Sequence, residues 1–174
     1  MYREIDEGLE TPTTVGEVFL ALINITLPDG TVNEYAAGIT CLEVITDALG
    51  KKNGCLAALV NGSQKDMSYE IYDSCEVEGI KADSPAGMHI LRHSTAHLLA
   101  QAVVELYPDA KPTIGPAIER GFYYDFAMEP ITEADLKPIH KKMQEIARRN
   151  LIVERIELDD EELREHFTDN QYKI

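Results

Sequence analysis

Apolar and polar residues alternate from Leu22 to Leu27, with Asn24 and Thr26 set between Ile23, Ile25 and Leu27, which is the period of a half-buried strand. Pro28-Asp29-Gly30 is turn chemistry, and the stretch Thr31 to Tyr35 can return as the second strand of a hairpin. Thr40 can cap a short helix from Cys41 to Leu49, closed by Gly50. Leu56 to Val60 reads as a buried strand, Asn61-Gly62 as another tight turn, and Cys75 to Ile80 as a last strand; Tyr69 to Tyr72 reads either way. The pattern predicts a small α+β domain over residues 21–81, with one helix laid across a mixed sheet.

The period then changes. Ser84-Pro85 is an N-cap followed by proline at the first helical position. Ile90, Leu91, Leu98, Leu99, Ala102, Val103 and Leu106 recur at helical steps, predicting one long amphipathic helix stopped by Tyr107-Pro108-Asp109. Gly115 and Gly121 bracket an apolar strand, and Gly121 leads into an aromatic one containing Phe122, Tyr123, Tyr124 and Phe126. Thr132 and Asp135 have capping-box spacing ahead of a second helix that runs to about Asn150. Leu151 to Leu158 reads as a strand, Asp159 to Phe167 as a short helix, and Asn170 to Ile174 as the approach to another strand. Residues 82–174 thus form a second unit, while residues 1–20 are an acidic stretch without a motif.

Charge narrows the partners. The 174 residues carry a net charge of −15, which argues against broad, non-specific gripping of nucleic acid. The distribution is uneven. Residues 1–50 hold one base, Arg3, against nine acids, whereas Lys137, Lys141, Lys142, Arg148, Arg149 and Arg155 cluster near the second helix. Such a run reads first as a solvated face with acid–base pairs and second as a local phosphate-facing surface. Cys41, Cys55 and Cys75 are widely spaced and form no Cys-x-x-Cys pair, so they read as reduced thiols. With apolar runs too short to cross a membrane and no secretory leader pattern, a cytoplasmic setting is expected.

The candidate chemistry lies on the long helix. His89, His93 and His97 are four residues apart and share one stripe. His89 and His97 are two turns apart, about 12 Å along the axis, so the three cannot converge on one metal ion. His93 and His97 are the better pair, suited to gripping one ion or to holding one water between two proton acceptors, with His89 a solvent-side neighbour. Arg92 beside them can meet a phosphate or pair with Glu119. Tyr123, Tyr124 and Phe126 read as core before they read as a base-stacking platform, and His140 and His166 as surface residues.

Leu27-Pro28-Asp29-Gly30, a short helix, then Leu59-Val60-Asn61-Gly62 resembles the TGS domain, a β-grasp module. Arg92-His93-Ser94-Thr95-Ala96-His97-Leu98-Leu99, followed by Ile114-Gly115-Pro116 and Gly121-Phe122-Tyr123-Tyr124-Asp125, is similar to the second domain of threonyl-tRNA synthetases, and the resemblance covers about residues 22–174. It implies a TGS-like β-grasp domain followed by an incomplete α/β editing domain, with tRNA as partner and hydrolysis of mischarged seryl-tRNA as the activity. His93 and His97 would be its catalytic residues, without metal, although the corresponding pair in alanyl relatives binds zinc. The family's pocket is completed by a Cys-x3-His motif, a lysine and an aspartate further downstream, and this sequence contains none of that segment. ATP, Mg and a zinc belong to the family's aminoacylation domain, also absent from this sequence, and family members are usually homodimers. A stand-alone RNA- or partner-binding module and a small metal-dependent hydrolase are the competing readings.

Overall fold

The computed structural model of the chain describes residues 21–151, 153, 156–170 and 172. The acidic stretch of residues 1–20 lies outside them.

The first hairpin forms as its pattern predicts. Strands β1 (Leu22–Thr26) and β2 (Val32–Ala36) pair antiparallel from Leu22↔Ala36 to Thr26↔Val32. Gly30 turns the chain at φ +84°, and the Asp29 carboxylate accepts the Thr31 N–H at 2.9 Å. That bond holds the Asp29 carboxyl below its ordinary range. Alternation puts Ile23 and Ile25 inside.

A two-residue strand β3 (Ile39–Thr40) leads into helix α1 (Cys41–Leu49). Thr40 and Glu43 form a reciprocal capping box, with Glu43 N–H donating to Thr40 Oγ1 and Thr40 N–H donating to Glu43 Oε2. Cys41, Val44 and Ile45 face inward, and the Gly50 N–H donates to Thr46 O to close the helix.

Strands β4 (Cys55–Val60) and β5 (Ser63–Lys65) form a tight hairpin in which Asn61 (φ +47°) and Gly62 (φ +75°) both take the left-handed conformation its turn demands. The ambiguous Tyr69–Tyr72 segment supplies β6 (Glu70–Ile71), paired with β3, and β7 (Cys75–Lys81) completes the unit. The five-stranded sheet has the order β2-β1-β7-β4-β5, with β1 and β7 parallel and the other neighbours antiparallel. This is the mixed β-grasp sheet with one helix across it. Ile25, Val44, Ile45, Val77 and Cys41 are its largest fully buried side chains, each large aliphatic contributing about 1.5–3 kcal/mol by burial.

A hydrogen-bonded joint follows. The Ala82 N–H donates to Gly54 O, and Ser84 donates to Lys81 O from both its N–H (3.1 Å) and its hydroxyl (2.7 Å). Ser84 Oγ in turn accepts the Gly87 N–H at 3.0 Å, capping helix α2 (Pro85–Leu106). A Cβ on Gly87 would lie 2.0 Å from the Lys81 carbonyl oxygen, so only glycine lets the helix start this close to the end of β7.

After α2 the expected pair of longer strands is not formed. Four two-residue strands take their place: β8 (Lys111–Pro112), β9 (Ala117–Ile118), β10 (Gly121–Phe122) and β11 (Phe126–Ala127), pairing β9 with β10 and β8 with β11. Pro112, Pro116 and the glycines interrupt both the donors and the extended path a longer ladder needs. Helix α3 (Glu133–Arg148) packs on α2 around Val103, Ala110 and Ile139. The expected strand over Leu151–Leu158 is also corrected. Its described residues, Leu151, Val153 and Ile156 to Leu158, are exposed and carry no strand; the remaining three lie outside the described set. An apolar alternation becomes a strand only when another strand is there to pair with it. Helix α4 (Asp160–His166) follows, capped by Asp159, and the Asn170 side chain donates to Pro112 O at 3.0 Å. Of the approach to a further strand, Asn170 and Tyr172 carry none, and Gln171, Lys173 and Ile174 lie outside the described residues.

Candidate functional site

Helix α2 carries the histidines on its exposed side while Ala96, Ala100, Ala102 and Val103 are buried. The apolar stripe is narrower than the sequence suggests, since Leu91 is 39% exposed. Small residues do the burying and leave the histidine side open.

His93 and His97 sit one turn apart with ring centroids at 4.6 Å and ring planes at 75°. Their Nε2 atoms are 3.0 Å apart. That is the length of one N–H···N hydrogen bond, so one ring donates from Nε2 and the other accepts. The imidazoles therefore meet directly in the described structure. The contact uses one ring's Nε2–H and the other ring's Nε2 lone pair. Two nitrogens are one fewer than a catalytic zinc site requires. Among the described residues no three His, Cys, Asp or Glu side chains are grouped to hold a metal ion.

His89 is exposed and lies off the pair, in a groove of about 520 Å³ shared with Met88, Arg92, Ile118 and Glu119. Arg92 and Glu119 line this groove, and no ion pair joins them among the described residues. The aromatics mostly serve packing. Tyr124 stacks on Phe126 with centroids at 4.9 Å, and Phe126 packs against the α2–α3 core. Gly115 makes room for Tyr124, whose ring a Cβ there would meet at 2.0 Å. Tyr123 alone of the three is exposed.

The basic run divides by helix face. Arg149 binds Glu105 of α2 through two bonds of 2.7 and 2.8 Å and Glu145 at 2.7 Å, and Lys142 reaches Glu105 at 3.7 Å and Glu145 at 3.0 Å. These two bases fasten α3 to α2. Tyr107 adds a second tie, its hydroxyl donating to Asp135 Oδ1 at 2.6 Å. Lys137, Lys141 and Arg148, at one-turn and two-turn spacings on the side away from buried Ile139 and Ile146, are exposed and take part in no ion pair among the described residues. The sequence run showed the charge but not this division, and the i, i+4, i+11 spacing was the signal that marks the outer stripe.

The three cysteines are free thiols, and burial pushes all three upward, Cys41 to about 11 with Cys75 and Asp66 adding to the effect. None is a poised nucleophile. His140 and His166 are exposed, as expected. No described helix is long and apolar enough to cross a membrane.

Residues 23–81 match the family model of the TGS domain. Over 157 residues the chain is 45% identical to a threonine–tRNA ligase of Desulforamulus reducens, a match covering 88% of this chain and 25% of that protein. A threonine–tRNA ligase of Thermobifida fusca is 48% identical over 153 residues, covering 87% and 23%, and one of Fusobacterium nucleatum is 49% identical over 134 residues, covering 75% and 21%. The chain thus spans about a quarter of the length of the curated relatives it matches.

Proposed function

The chain carries a TGS domain and corresponds to the N-terminal region of threonine–tRNA ligases, and from that premise we propose that it is the tRNA-contacting and proofreading part of such an enzyme. Residues 21–81 form the TGS unit and residues 82–174 the opening part of the editing unit. Serine differs from threonine by one methyl group, a difference that binding alone discriminates poorly, so a second, hydrolytic site has work to do.

His93 and His97 carry that chemistry. The observation that supports the reading is their 3.0 Å Nε2 contact on the open side of α2. A ring nitrogen of the pair takes a proton from water as its oxygen attacks the ester carbonyl of the mischarged tRNA. The ester C–O bond breaks, and the pair returns a proton to the ribose oxygen that leaves. The remaining pocket groups are those the family carries further downstream, the Cys-x3-His motif, a lysine and an aspartate, so the pair works as half of a composite site.

Lys137, Lys141 and Arg148 face the phosphate backbone of the tRNA. A compact basic stripe on a protein of net charge −15 supports a local, oriented grip rather than a diffuse one. Threonine attachment, with its ATP, Mg and zinc, and dimer formation belong to the rest of the enzyme, and the setting is the cytoplasm.

The test is a threonine-specific tRNA with a photoreactive group on its terminal adenosine, mixed with the protein carrying this chain. Crosslinks concentrated between Met88 and Gln101 are expected. Crosslinks confined to other elements contradict the proposal.

A further inference from the structure

Strand β7 is paired unequally on its two sides. Strand β4 follows it from Lys81 to Val77. Strand β1 meets it only at Cys75 and Glu76, then ends and turns at Pro28 towards β2, away from β7. From Val77 to Ile80, among the described residues, no strand pairs with the β1-side edge. Backbone donors and acceptors in the middle of a sheet ordinarily find partners, and an open edge is a template for another strand.

The space beside this edge is hollow on both faces. A cavity of about 290 Å³ opens on the α1 side, against Ile45 and Leu49. Another of about 390 Å³ opens on the opposite side, against Leu59. Pro28, Val77 and Glu78 border both. Asp29, Glu76 and Glu78 are the charged residues of the two linings, and among the described residues no lysine, arginine or histidine belongs to either.

We propose that this gap receives an extended basic segment of a partner protein, added as a strand along Val77–Ile80. The free edge supplies main-chain hydrogen bonds, and the two hollows receive side chains that alternate between the faces of an added strand. Apolar side chains fit the α1-side hollow, against Ile45 and Leu49. Lysine or arginine fits the other, beside Glu76 and Glu78. The uniform negative charge selects a basic peptide and works against an RNA strand. This surface lies outside the proofreading reading and does not depend on it.

The probe is an end-capped hexapeptide of alternating lysine and valine, added to the isotopically labelled full chain at low salt. Amide shifts centred on Val77, Gly79 and Ile80 are expected, with slowed hydrogen exchange there. Methylating alternate backbone nitrogens of the probe, which keeps its charge but removes strand pairing, should weaken binding by about tenfold or more. Glu78→Lys, on an exposed side chain, should weaken it by about tenfold as well. No shifts at millimolar peptide, shifts centred on the outer edges of β2 or β5, or equal binding of the methylated probe would each overturn the proposal.

Discussion

The Nε2 atoms of His93 and His97 face each other at 3.0 Å across one turn of α2. One nitrogen of the contact carries a proton and the other a lone pair, so neither ring keeps its role once the other is removed. Alanine at either position is expected to lower hydrolysis of seryl-tRNA by about 10²–10⁴-fold. The double variant should lose little more than the worse single one, because the two act as a unit. Both side chains are exposed, so the melting temperature should stay where it is. Single-turnover deacylation beside a thermal melt measures both.

The Tyr107–Asp135 tie predicts an acid dependence. Hydrogen bonds from Thr132 first, and from Tyr107, hold the Asp135 carboxyl at about 2, against its ordinary 3.8. A carboxyl lowered in the folded state stabilises above its unfolded value and loses that contribution as pH falls through the folded one. Wild type should therefore lose stability between pH 3.8 and about pH 2. Asp135→Asn should be less stable at neutral pH, with the difference closing towards pH 2, which chemical denaturation across that range would measure.

Gly87→Ala tests the joint between the sheet and the histidine helix. Its methyl group would stand 2.0 Å from the Lys81 carbonyl oxygen, where backbone and not a flexible side chain must yield. A loss of about 1–3 kcal/mol is expected, despite the higher helix propensity of alanine. Urea unfolding of the variant checks the size and the sign.

The two faces of α3 should separate in a binding assay. Replacing Lys137, Lys141 or Arg148 by alanine is expected to weaken tRNA binding and to reduce the salt slope by about 0.7–0.9 for each phosphate no longer neutralised. Lys142→Ala and Arg149→Ala should leave that slope unchanged and lower stability instead, because their partners Glu105 and Glu145 are in the protein. Titrations at several salt concentrations would separate the two classes.

Where a local rule was strong, the chain could be read directly. Thr40 as a cap, Ser84 with Pro85, Thr132 with Asp135 and the Asn61-Gly62 turn stand where their chemistry places them. What could not be read depended on partners distant in sequence. The apolar residues around Gly115 and Leu151 look like strands, yet pairing decides that, and it was limited to two residues in one case and absent from the described residues in the other. The histidine pair was legible from spacing, but its direct contact was not, since that depends on two side-chain rotamers. The division of the basic run between Glu105 and solvent needed the packing of α2 on α3, which joins residues 44 apart.

The proposed proofreading role of His93 and His97 can be tested within a whole threonine–tRNA ligase. The most direct measurement places this chain in the corresponding region of a matching ligase, such as the one from Thermobifida fusca, and follows hydrolysis of seryl-tRNA. Threonine charging by the same protein confirms that the chimera is folded. Rapid deacylation is expected, collapsing in the His93→Ala and His97→Ala variants while threonine charging continues. A chimera that charges threonine normally but deacylates seryl-tRNA equally well with and without the two histidines would contradict that role.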